Sequence, residues 1–219
     1  MTNFTIDITS DPICVFCYLG KRRLEKAISL WHKTASKTDT FTISWKPYYL
    51  QPNLPAEGVD KIQKMTERMG EEKAKLARKR LLQMGQFEGI DFHFGGKIRS
   101  TRDSHRLTRL AEEKGEETTD KVVERLFHEF HENENDIGDR ELLVRIGTEA
   151  GLDAEEVRLY LEGDNGGEEC DREAQEARDK GIIGVPYFRI QDKYVIDSAQ
   201  DPSDFMEIFQ KVREDESGR

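Results

Sequence analysis

The chain has 219 residues, 36% of them hydrophobic and 36% charged, and a formal net charge of −10. That length fits one large domain or a small fold with a sizeable insertion, and the regular spacing of the apolar residues excludes a disordered chain. The acidic balance argues against nucleic acid or an anionic membrane as the main partner.

The start, Met1-Thr2-Asn3-Phe4-Thr5-Ile6, has neither the basic residues nor the long apolar core of a secretory signal. No stretch approaches the roughly 18 apolar residues that cross a bilayer. The expected location is therefore the cytoplasm, where reduction disfavours permanent disulfides.

In chain order, residues 3–9 alternate Phe4, Ile6 and Ile8 with polar neighbours, which predicts a strand. From Cys14 to about Lys33 the period lengthens, with Leu24, Ala27, Ile28 and Trp31 on one helical face. Phe41, Ile43 and Trp45 alternate again, and Pro47 ends the strand or marks a sheet edge. A β-α-β unit with parallel strands follows from this order.

Residues 51–58 read as a turn-rich link and 57–84 as a long helical region, with loop signals over 85–101. Further helices are predicted over Arg102–Lys114, then one capped by Thr118 or Thr119, then one capped by Asp139 and stopped by Gly151. Asp153 and Glu156 resemble a capping box, and Glu168–Lys180 forms the last helix of the block. Strands return over Tyr187–Ile190 and Tyr194–Ile196 around a short turn, before a helix capped by Asp201 or Ser203. The charged tail 213–219 is expected to fray.

The two outer pieces, 1–56 and 181–219, are each too small to fold alone. They must share one mixed sheet, with the helices of 57–180 inserted between them. This predicts an α/β thioredoxin fold with a large all-helical insertion.

Cys14 and Cys17 fall where the first strand passes into the first helix. There Cys14 would meet unpaired N–H groups and the positive end of the helix dipole, which favour thiolate over thiol. Cys17, one turn on and deeper, suits the resolving role. Val15 and Phe16 lie between them and add apolar surface but no charge, so a moderate or reducing potential is expected. A lone Cys-x-x-Cys also fits half of a zinc site, but only Cys170 and five histidines remain, none paired at ligand spacing. No metal is expected.

Val185-Pro186 supplies the second half of the expected site. With the cysteine pair upstream, we read this peptide as cis, turning the Val185 backbone toward the thiols to meet an extended substrate. Cys170 shares a helix face with Ala174 and Ala177 and reads as a buried spectator. His105 reads as a packed or capping side chain, with an accessory catalytic role as the sharper alternative.

Four segments together resemble the DsbA-like thioredoxin family, in its cytosolic FrnE-like branch. They are Asp11-Pro12-Ile13-Cys14-Val15-Phe16-Cys17-Tyr18-Leu19-Gly20, Trp45 to Pro52, Ser100 to Leu107, and Gly181 to Phe188 with Ser198-Ala199-Gln200. That branch is related to 2-hydroxychromene-2-carboxylate isomerases and kappa-class glutathione transferases. The family usually carries Pro-Trp between its cysteines where this chain has Val15-Phe16. The resemblance implies a nucleophile at Cys14, a resolving thiol at Cys17, a cis-proline at Pro186 and accessory positions at His105 and Gln200.

The expected function is thiol–disulfide exchange on protein or small thiol and disulfide substrates. The expected cofactor is none beyond the Cys14–Cys17 pair, with glutathione as a candidate co-substrate. Two alternatives stay open: a glutathione-dependent isomerase or transferase, and a non-catalytic peptide-binding module. Oligomeric state is open between monomer and homodimer.

Overall fold

The structure is a computed structural model that describes residues 1–218. Strand β1 (Asn3–Ser10) points Phe4, Ile6 and Ile8 into the core, as alternation requires. Helix α1 (Val15–Thr34) follows, and then β2 (Thr40–Pro47) runs parallel to β1 with Ile8 opposite Trp45. Pro47 is the last residue of β2, which lies at a sheet edge where its missing N–H costs nothing.

A two-residue strand β3 (Val59–Asp60) leads into helices α2 (Lys61–Met69) and α3 (Glu71–Glu88). Strand β4 (Lys97–Ile98) pairs back on β3. Helices α4 (Arg102–Glu112), α5 (Glu116–His131), α6 (Arg140–Glu149), α7 (Ala154–Glu162) and α8 (Gly167–Asp179) come next. Strands β5 (Tyr187–Ile190) and β6 (Tyr194–Asp197) and helix α9 (Pro202–Ser217) close the chain.

The main sheet has the order β2-β1-β5-β6. β5 is antiparallel to both β1 and β6, so the sheet is mixed and draws its strands from the two ends of the chain. This is the predicted thioredoxin arrangement, but the segment between β2 and β5, expected to be all-helical, holds the β3–β4 ladder as well as α2 to α8.

Several local predictions need correction. The helical region over 57–84 is two helices, split at Gly70, whose φ of +81 few side chains tolerate. Helix α5 starts earlier than predicted, capped by Gly115, so Thr118 and Thr119 lie inside its first turns. Thr119 instead donates its hydroxyl to Gly115 O at 2.9 Å. Asp153 does cap α7, accepting from Glu155 N and Glu156 N. Glu156 is drawn away from the reciprocal bond by Lys114, just past α4, at 2.7 Å. Asp201 caps α9 in a full capping box with Asp204. That helix stays regular to Ser217, beyond the point where fraying was expected; Arg219 lies outside the described residues.

Among the described residues two large apolar clusters and a small third one, Tyr48 with Ala177 and Ile182, form the interior. One large cluster joins the sheet to α1 and α9 through Phe4, Trp31, Phe188, Phe205 and Phe209. The other joins α4, α5, α6 and α7 through Leu107, Leu126, Leu143 and Val157. Helix α5 serves both. Val123 and Phe127 enter the sheet core, while Val122 and Leu126, one position earlier on each turn, enter the helical one. Adjacent i, i+4 stripes about 100° apart let one helix face two cores.

Candidate active site

Three elements converge on the cysteines. The loop after β1 delivers Asp11, Pro12 and Ile13, the start of α1 delivers Cys14 and Cys17, and the entry to β5 delivers Val185 and Pro186. Cys14 is the N-cap residue of α1, and its own N–H donates to Asp11 O at 2.9 Å. Its carbonyl accepts from Cys17 N and Tyr18 N at 3.0 and 3.3 Å, which starts the helix. The first turn of α1 itself holds no acidic residue.

The Val185-Pro186 peptide is cis, as the sequence suggested. The Cys14 thiol donates to Val185 O at 3.4 Å. Helix α1 lies very close to this strand entry because residue 20 is glycine. A Cβ there would sit 2.9 Å from the Phe188 ring and 3.0 Å from Pro186 Cγ.

All three cysteines are free and buried, but they differ in setting. Cys14 keeps 7% of its surface exposed, and the half-exposed Phe16 lies beside it. Cys17 keeps 2%, and burial together with the adjacent Cys14 sulfur pushes its thiol well above the ordinary range. The Ser10 side chain and the Asp11 N–H oppose that push. The pair is therefore asymmetric, with the outer sulfur at the helix cap and the inner one held as a thiol. Cys170 is enclosed on α8, as expected, and burial drives its thiol up to about 12.

Asp11 has no exposed surface. Its carboxylate accepts from Leu50 N at 2.8 Å and Ile13 N at 3.4 Å, tying the cysteine loop to the segment after β2. Burial raises this carboxyl to about 7 against the pull of those N–H groups, Thr101 and Arg178. His105 of α4 places Nε2 3.8 Å from Asp11 Oδ1 and sets its ring edge-on to Tyr49. Burial lowers that imidazole to about 4. His131 of α5 donates from Nε2 to Pro12 O at 3.0 Å and is lowered by burial to about 3. Both rings are neutral at pH 7 and act here as shaped polar packing.

Of the expected site residues, Cys14, Cys17, Val185 and Pro186 come together, with Phe16 exposed at the rim and Val15 packed against the core. Gln200 lies in the loop after β6, where its amide donates to Asp197 O at 2.9 Å rather than to the thiols. The sequence reading missed Ser10, Asp11 and His131 as parts of the site. Asp11 was readable in principle, because Asp two residues before an N–H it accepts is an Asx turn, here followed by Pro12. Nothing local signals that α5 will bring His131 to that turn.

A mixed four-stranded sheet, a Cys-x-x-Cys at a helix cap and a facing cis-proline define a thioredoxin-type protein. The sequence profile of the DSBA-like thioredoxin domain matches residues 5–210, and the chain belongs to that family. It is 26% identical over 226 residues to the uncharacterised protein YwbO of Bacillus subtilis (strain 168), spanning 96% of each. Among solved structures it resembles the probable DsbA oxidoreductase SCO1869 of Streptomyces coelicolor. The TM-score is 0.85 at 27% identity, over 95% of this chain and 89% of the other. The fold is shared with a 2-hydroxychromene-2-carboxylate isomerase, with TM-score 0.70, 14% identity and 98% of each chain covered. It is also shared with the cytosolic disulfide reductase DsbM of Pseudomonas aeruginosa, with TM-score 0.62 and 17% identity over 96% of this chain and 98% of the other. That reductase has also been solved with GSH.

Proposed function

We propose that this protein is a thiol–disulfide oxidoreductase of the cytoplasm, with Cys14 as nucleophile and Cys17 as resolving thiol. One observation carries the reading: Cys14 caps α1 and bonds to Val185 O, with Cys17 buried one turn behind it. An incoming disulfide is attacked by the Cys14 thiolate, its S–S bond breaks, and a mixed disulfide forms. Cys17 then attacks Cys14, releasing the second substrate thiolate and closing the Cys14–Cys17 bond. The backbone at Val185 and the apolar Val15 and Phe16 hold the substrate segment. No cofactor is required beyond the two thiols; glutathione or another small thiol restores them.

The test is turnover of a disulfide substrate coupled to glutathione or dithiothreitol. Cys14→Ser should abolish it, whereas Cys17→Ser should stall as a stable mixed disulfide detectable by intact mass. Full turnover by Cys14→Ser would reject the assignment. A glutathione-dependent isomerase is the second reading, favoured by the fold shared with the carboxylate isomerase. It predicts activity that survives Cys17→Ser and demands glutathione.

A further inference from the structure

Helices α2 and α3 form an arm that carries the densest group of positive charge in the chain. The 20 residues 61–80 hold eight lysines and arginines against Glu67, Glu71 and Glu72, a local charge of +5 in a protein of −10. Among the described residues none of the eight forms an ion pair. Elsewhere such charges are matched: Lys21, Arg22, Arg23 and Lys26 of α1 and Arg102, Arg106 and Arg109 of α4 all meet carboxylates. On the arm Arg68, Lys73, Lys75, Lys79 and Arg80 are exposed, and even the buried Nη1 of Arg78 finds no acceptor. Leu76, Leu82 and Phe87 of α3 are exposed among them, and Leu76, Arg80 and Phe87, spaced four and seven apart, share one helix face. Both ends of the arm are fixed beside the thiols. At the start of α2 the Lys61 ammonium lies 3.6 Å over the Phe130 ring and donates to Phe130 O at 2.6 Å. The next residue, His131, bonds to Pro12, two positions before Cys14. At the end of α3 the Glu88 carboxylate takes Arg23 and Lys26 of α1, and Met84, one turn earlier, packs against the core that holds both cysteines.

We propose that the α2–α3 arm is a docking surface for acidic polypeptide substrates, which it holds while their disulfides meet Cys14. The inference rests on the thiol exchange proposed above and names the class of substrate that the exchange serves. Cations left without internal partners are complementary to anions on a visitor. At physiological ionic strength the field of a charge fades over about 8 Å. A short acidic segment therefore feels the arm alone, whereas a membrane or a nucleic acid, being larger, also meets the acidic remainder of the chain. The exposed Leu76, Leu82 and Phe87 offer apolar contacts between the cations, which suit a chain of mixed acidic and apolar side chains. Reach is sufficient, since six extended residues span about 20 Å. Pro12 and Arg23, where the arm is anchored, each lie within about 10 Å of a cysteine along the chain. The arm acts on encounter and not on the sulfurs, so it decides which disulfide arrives rather than how fast the bond is exchanged.

The test uses the reduced full-length protein and three reporter peptides. Each joins a fluorophore chain to a quencher chain by one disulfide, with glutamate, glutamine or lysine flanking the cysteines. Each rate is divided by that peptide's rate with dithiothreitol, which removes its intrinsic reactivity. In about 0.01 M salt, where charges act over about 30 Å, the glutamate peptide should react about tenfold faster than the lysine peptide. In about 1 M salt, where that reach is about 3 Å, the two should agree within about twofold. A variant carrying Lys73→Gln, Lys75→Gln, Lys79→Gln and Arg80→Gln should lose the preference yet cleave the glutamine peptide within about twofold of wild type. Lys33→Gln with Lys37→Gln, which removes exposed cations outside the arm, should keep the preference. All six side chains are exposed, and far-UV circular dichroism checks that both variants fold. Equal low-salt rates for the glutamate and lysine peptides, or a preference that survives in the arm variant, would overturn the proposal. If the rates are equal and the arm variant alone fails to bind phosphatidylglycerol vesicles, the arm serves a membrane instead. If no peptide is cleaved, or cleavage survives Cys14→Ser, the exchange reading itself fails.

Discussion

Asp11 shows how a single side chain sets a balance that the surface charge does not reveal. Its carboxyl has no exposure and titrates near 7, against 3.8 when solvated. A raised carboxyl contributes stability below about pH 4, and that contribution disappears as pH climbs through about 7. The depressed His105 and His131 act in the opposite sense, weakening the fold as pH drops from 6.5 toward 4 and 3. Asp11→Asn isolates the carboxyl. Its stability relative to wild type should rise by about 4 kcal/mol from about pH 4 to pH 8, on the order of three pKa units. Urea unfolding at the two pH values measures this, and a constant difference would reject the buried titration. Arg106 is a second such residue. With 1% exposure it donates to Leu161 O, Gly163 O and Asn165 O and pairs with Asp103, closing the end of α7. Arg106→Ala should cost about 3 kcal/mol and lower Tm by about 10 °C in a chain of this size.

At the scale of elements, the register of α1 against β5 sets the sulfur-to-Val185 distance. Gly20 permits that approach, since any Cβ would press on Phe188 and Pro186. Gly20→Ala gains about 1 kcal/mol of helix propensity but overpacks by about 1–3 kcal/mol, so the net is a modest loss. The larger effect should be on rate. A shift of α1 by a fraction of an ångström misplaces Cys14, and attack on disulfides should slow by about tenfold. Wild-type rates in the Gly20→Ala variant would show that this spacing is not critical. The same scale separates what could be read in the sequence from what could not. Strand alternation in β1, β2 and β5, the Cys-x-x-Cys and Val185-Pro186 are local patterns, and each stands where it was expected. The two-residue β3–β4 ladder depends on partners distant in sequence, whereas the break at Gly70 and the start of α5 after Gly115 are local glycine signals that apolar periodicity does not register. The polar setting of the thiols was legible only in part, through His105 and the Asx turn at Asp11. Ser10, Asp11, His105 and His131 come from β1, its loop, α4 and α5, and only packing assembles them.

Across the whole molecule, the helical block and the sheet share structure rather than merely touch. Lys21 of α1 is 3% exposed and pairs with Asp120 and Glu124 of α5 at 2.9 and 3.1 Å. Tyr18 adds a bond to Glu132 at 2.7 Å and stacks on Phe127 at 5.1 Å. Trp31 lies between α1 and α9, while Trp45 meets Phe127. Tryptophan fluorescence therefore samples the sheet and its junction with α5, and far-UV circular dichroism samples mostly the helices. The two signals should report one urea transition with a common midpoint. Separate midpoints would mean that the two cores melt independently.

The three sulfurs differ in how far a reagent must penetrate to reach them, and this gives the protein a built-in gauge of its own oxidation. A brief pulse of iodoacetamide at neutral pH should tag one thiol in the reduced form, the one capping α1. It should tag none once the neighbouring pair has closed. The third thiol should appear only when the chain is unfolded. The fraction of singly tagged molecules then reads directly as the fraction able to accept the next disulfide.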